Sequence, residues 1–152
     1  MKGKERDMFK YAEKCLYDYP RNMACLEVLR VDLQLEHSGS DVHAQNYQAQ
    51  FICKGLSTNP IEARQMRIER LDERIRQLER CTQPISRLID DLKAPYVHEG
   101  SVKAELLPVI ELHYFGENSL TYIMRELHIG RQSLHNRRRM LVKMLMRYMG
   151  CE

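Results

Sequence analysis

Between residues 60 and 93, apolar side chains return every seven residues on two interleaved ladders. Ile61, Ile68, Ile75, Thr82 and Ile89 form one; Leu71, Leu78, Ile85 and Leu92 form the other. The 3-4 alternation from Ile68 to Leu92 is unbroken. That pattern places one narrow stripe along a long helix, and such a helix requires a partner along its length. Two partners satisfy it: helices of the same chain, or a second copy meeting it in a homodimer seam of Ile68, Leu71, Ile75, Leu78, Ile85, Ile89 and Leu92. Pro84 interrupts the regularity, because it removes the hydrogen bond to Arg80 and should kink or split the helix near Gln83.

The remainder of the N-terminal part is also helical in pattern. Met8, Phe9, Ala12, Leu16 and Tyr19 lie near one side of a helix over 4–18. Pro20 ends that helix and opens the next, where a first-turn proline loses no needed donor. Met23, Leu26, Leu29 and Leu33 carry the second helix to about His37, and the two are expected to pack as a helical hairpin. Residues 38–60 are polar and aperiodic, a long loop with Phe51, Ile52 and Cys53 as candidate anchors. Residues 93–101, with Pro95 and Gly100, read as a linker. Period-2 alternation is rare and β-branched runs are missing, so the expected fold is all-α. Its expected division is 1–93, an interaction part, and 101–150, a second unit.

Composition removes several function classes. No apolar run approaches the roughly 20 residues of a membrane span, and the charged opening does not resemble a signal peptide. Cys15, Cys25, Cys53, Cys81 and Cys151 show no paired spacing, and the six histidines (37, 43, 98, 113, 128 and 135) show no ligand spacing. Neither a disulfide framework nor a metal site is expected, and a reduced cytoplasmic setting fits best. No phosphate loop or nucleophile motif occurs, so no catalytic residue and no cofactor is assigned. Asp90-Asp91 reads as a solvated helix end, and Met140, Met144, Met146 and Met149 as packing residues.

The net charge of +3 is unevenly placed: residues 1–100 sum to zero, and the excess lies in 101–152. Seven basic residues and one acid, Glu126, lie between Arg125 and Arg147. A basic stripe on one element is the footprint expected of phosphate binding.

That stripe coincides with a helix-turn-helix pattern. A helix within 102–115 supplies Leu106, Leu107, Ile110 and Tyr114, with Pro108 obscuring its start. "FGEN" is a turn, and Ser119 or Asn118 caps a helix over 119–127 with Leu120, Ile123 and Leu127 inward. His128-Ile129-Gly130 forms the next turn, with Ile129 as anchor and Gly130 supplying backbone freedom. The last helix, about 131–148, turns Leu134, Leu141, Leu145 and Tyr148 inward. Its start carries Arg131, Gln132, Ser133, His135 and Asn136, groups able to read base edges in a major groove. Arg137, Arg139 and Lys143, with Ser119, Thr121, Tyr122 and Arg125 on the preceding helix, are the candidate phosphate contacts. Arg138 falls near the inner stripe and is expected to snorkel or meet a partner.

From Val109 onward these residues resemble region 4 of bacterial sigma factors. The likeness lies in Tyr114-Phe115, the Ser119-to-Ile123 helix start, the Leu127-x-Ile129 turn and Arg137. Nearly the whole chain, through "CLYDYPRNMACLEVLRVDL", "LSTNPIEARQM", the heptad segment and the closing Met-Gly, is similar to RinA/ArpU-type phage transcriptional regulators. Pro84, His128 and Arg138 depart from the pattern. The resemblance implies a sequence-specific double-stranded DNA-binding regulator, an activator of phage or prophage late genes, with no catalytic site. Two alternatives share the motif. One is a small-terminase-like packaging component. The other is a sigma-like module that contacts RNA polymerase.

Overall fold

The computed structural model describes residues 3–39, 59–94 and 103–150. Among them there is no strand, and the chain is all-α. The elements are α1 (Gly3–Ser38), α2 (Pro60–Lys93), α3 (Leu106–Val109), a π-helical segment (Ile110–Phe115), α4 (Leu120–Glu126) and α5 (Arg131–Tyr148). No described helix is long and apolar enough to cross a membrane. The anchors Phe51, Ile52 and Cys53 lie outside the described residues.

The expected helix break at Pro20 is corrected, and so is the expected split at Pro84. Pro20 does not separate two helices; α1 runs through it without a break to Ser38. Pro84 likewise lies inside an unbroken α2. An interior proline costs about 3 kcal/mol, and fully buried side chains close to each proline offset that cost. Leu16 and Leu26 flank Pro20, and Ile85 and Leu88 follow Pro84. The expected hairpin of two N-terminal helices is therefore replaced by one helix, α1, which packs against α2.

The chain forms two compact units, 1–22 with 80–152, and 23–79. This differs from the division at 93–101, because the C-terminal helices close their core on the first helix. In the larger unit, Ala12, Cys15 and Leu16 of α1 meet Ile85, Leu88 and Leu92 of α2. Leu106, Ile110, Tyr114, Leu141, Val142 and Leu145 complete that core. A smaller cluster of Val109, Ile123 and Leu134, with Leu112, Met124, Leu127 and Ile129 around it, holds the helix-turn-helix together. Each fully buried aliphatic side chain contributes roughly 1.5–3 kcal/mol.

In the smaller unit, Leu26 and Leu29 pack on Ile75, with Leu71 and Leu78 alongside. Arg67 pairs with Glu36 at 2.9 Å. The Arg64 guanidinium donates to the Glu36 carbonyl at 2.8 Å and to that of His37 at 3.2 Å, satisfying acceptors at the α1 C-terminus that have no helical partner. The heptad stripe is thus filled within the chain. Leu71, Ile75 and Leu78 belong to one core, and Ile85, Ile89 and Leu92 to the other. Ile68 is half-buried. The reason is that α1 supplies the complementary apolar side chains.

Two turns depart from the expected chemistry. The left-handed residue before α5 is His128, with φ 50°, whereas Gly130 is extended at φ −79° and ψ 165°. In the "FGEN" turn it is Glu117 that takes φ 50°. Gly116 serves there by its lack of a Cβ, since one would stand 2.6 Å from the Asn118 Nδ2. That amide donates to the Leu112 carbonyl at 2.9 Å. Left-handed backbone is costly for a residue with a Cβ. His128→Gly is therefore expected to stabilise the chain by about 0.5–1 kcal/mol, the relief of strain outweighing glycine's greater unfolded-state entropy. Chemical denaturation of the two proteins checks this.

Candidate nucleic-acid interface

The geometry is set at the start of α4. Ser119 is its N-cap, in extended conformation, and its hydroxyl accepts from the Tyr122 amide at 3.2 Å. Asn118, the other candidate cap, is turned back to Leu112. Ile123 is fully buried, whereas Leu120, expected inward, is 39% exposed. It begins the helix, and its side chain lies outside the cluster formed by Ile123, Met124 and Leu127. Thr121, Tyr122 and Arg125 are exposed.

Helix α5 matches its expected bounds, 131–148. Leu134, Leu141, Val142 and Leu145 are its buried residues, and Tyr148 is half-buried. Arg131, Gln132, His135, Asn136, Arg139 and Lys143 are exposed, and Ser133 is half-buried at the flank. The Gln132 amide donates from Nε2 to the Asn136 Oδ1 at 3.1 Å. This i,i+4 link leaves the Gln132 carbonyl oxygen and its second N–H for another partner, the acceptor–donor pair that an adenine edge requires.

Two arginines of the triplet are turned inward. Arg137 pairs with Glu105 at 2.7 Å, and its side chain is only 17% exposed. Its guanidinium is engaged with Glu105 within the chain, so its charge is already partly neutralised. Arg138 donates to the Glu13 carboxylate at 2.8 Å. The same oxygen accepts from the Tyr114 hydroxyl at 3.1 Å. Arg138, expected to snorkel or to meet a partner, forms an ion pair with α1. Burial alone would lower the Arg138 pKa, but the bonds from Tyr114 and Glu13 outweigh it and hold the group above its ordinary value. Arg138 Nε is buried without a partner.

Next to this pair lies an aromatic cluster from the π-helical segment. The widened turn buries both His113 and Tyr114, adjacent residues that meet Tyr17 of α1 edge-on. Phe115 stacks on Tyr19 at 5.2 Å. The Tyr17 hydroxyl and His113 Nε2 are 2.9 Å apart, while Nδ1 has no partner. Burial, reinforced by the Arg138 charge, holds the His113 pKa below its ordinary value. The unfolded chain therefore binds a proton that the folded chain does not, so stability rises with pH in this window. As pH falls below about 6.5, the unfolded value, the unfolding midpoint should drop, and His113→Gln should remove part of that drop. Denaturation at a series of pH values reads both.

Three further side chains lie beside this surface. Arg147 lies on the outward face of α5, four residues after Lys143, and its periodicity was legible. Met140, expected to pack, is 42% exposed. Lys103 approaches from before α3 and carried no local signal. With Asn136, Arg139, Lys143, Met144 and Tyr148 they line a groove of about 730 Å³. A smaller cleft of about 360 Å³ between α4 and α5 is lined by Thr121, Arg131, His135 and Arg138 together with Leu120, Met124 and Leu134. No group of side chains able to hold a metal ion occurs among the described residues. No family model, no curated protein and no solved structure matches the chain.

Proposed function

We propose that this protein binds double-stranded DNA sequence-specifically and regulates transcription. The observation that carries the reading is the outward face of α5. Exposed Arg131, Gln132, His135 and Asn136 occupy its first two turns, Arg139 and Lys143 follow, and the helix is seated by Leu134, Leu141 and Leu145. A helix so presented places reading groups first and phosphate contacts after them, as a recognition helix requires. Thr121, Tyr122 and Arg125 on α4 reach the neighbouring backbone. The resemblance to RinA/ArpU-type regulators directs the proposal further, to activation of phage or prophage late genes in the bacterial cytoplasm. Two copies reading two half-sites would meet through a surface other than the α2 stripe.

Selection from a random duplex library at two salt concentrations tests this. The expected result is an enriched motif that persists at the higher salt. Binding without a motif, abolished by salt, would reduce the interface to phosphate attraction. Within that assay, Arg139→Ala or Lys143→Ala should weaken all duplexes alike and reduce the salt slope by roughly one each. Arg137→Ala should leave the slope nearly unchanged, because Glu105 already neutralises that charge.

A further inference from the structure

We infer that the groove along the C-terminal half of α5 is a docking site for an acidic amphipathic helix of a partner protein. The apolar floor of the groove plays no part in DNA reading, although Asn136, Arg139 and Lys143 at its edge are shared with the proposed DNA contacts. Met140, Met144 and Tyr148 follow one another at four-residue spacing and form a ladder of apolar side chains, one per turn. Arg139, Lys143 and Arg147 form a second ladder beside it, and Lys103 also lines the groove. No carboxylate lines the groove among the described residues. The Tyr148 hydroxyl is turned away to Asp91, which leaves its ring as part of the wall.

The two ladders together select the occupant. A duplex would satisfy the cations but leave the apolar ladder wet. A helix with apolar side chains at one-turn spacing, flanked on one side by Asp or Glu, fills the ladder and neutralises the cations at once. The volume, about 730 Å³, accommodates several aliphatic side chains. Methionine suits such a floor because its unbranched thioether adapts to the shape of the partner. Met140, 42% exposed, contributes little to the core of its own chain.

The test uses the full chain and a fluorescent designed helix with Leu at one-turn spacing and Glu beside it. Two control helices replace Glu by Lys, or Leu by Ala. Fluorescence polarisation should give saturable binding of the acidic leucine helix, about tenfold tighter than either control. Met140→Ala and Arg147→Ala should each weaken it several-fold. Met140→Ala should leave duplex affinity unchanged, and Gln132→Ala should leave helix affinity unchanged, so the two readings fail separately. Equal binding of the Leu-to-Ala control, or no effect of Met140→Ala, would overturn the inference and assign the cations to phosphate. Concentration-dependent self-association that Met140→Ala abolishes would also overturn it, by giving the groove to a second copy.

Discussion

Gln132→Ala is expected to lower affinity for the selected duplex by roughly five- to 150-fold, the equivalent of about 1–3 kcal/mol for one good base contact. Affinity for an unrelated duplex should stay within about twofold, since phosphate attraction dominates there. The amide is exposed, and its link to Asn136 at 3.1 Å holds the side chain in one orientation before any ligand arrives. Asn136→Ala should produce a smaller version of the same loss, by releasing Gln132 as well as removing one reader. The double variant should fall short of the sum, because the two amides act as a linked pair. A parallel selection with the Gln132→Ala protein would show at which base the preference relaxes. Equal losses on selected and unrelated duplexes would remove Gln132 from the readers.

Glu13→Ala is expected to destabilise the larger unit by roughly 2–3 kcal/mol. Removing one member of a fully buried ion pair costs about 3–5 kcal/mol, and here the two side chains are 24% and 25% exposed, which reduces the penalty. The loss comes from what is left behind: a guanidinium and the Tyr114 hydroxyl, both facing a carboxylate that is no longer there. The thermal midpoint should fall by roughly 5–10 °C for a chain of this size. Glu13→Leu combined with Arg138→Met should recover much of the loss, because apolar side chains of similar volume replace a buried pair at little cost. A Glu13→Ala protein within about 0.5 kcal/mol of the parent would place the pair among ordinary surface contacts.

What could be read from residues alone follows a physical division. The bounds of α5, the Ser119 cap and the inward Ile129 depend on local periodicity and local hydrogen bonding, and these were legible. Helix continuity through Pro20 and Pro84 was not legible, because a local rule, the missing donor, is overridden by fully buried neighbours. Backbone freedom in the turn is expected at Gly130 from composition, whereas the left-handed conformation falls on His128. The partners of Arg137 and Arg138 were invisible, since Glu105 and Glu13 lie 32 and 125 residues away and no spacing rule connects them. The α2 stripe was correctly seen as needing a complement. The identity of that complement depended on α1 being one helix.

The joining of α1's first half to α5 also sets an order of events during synthesis. At about 5–20 residues per second, Leu16 emerges several seconds or more before Leu141 and Leu145, the residues it is buried with. During that interval the first half of α1 has an unsatisfied apolar face, while Met23–Glu79 already contains both halves of its own core. The smaller unit can therefore mature on the ribosome, and the larger one waits for the tail. A nascent chain stopped before residue 131 would carry that open face into the cell, a substrate for chaperones and proteases.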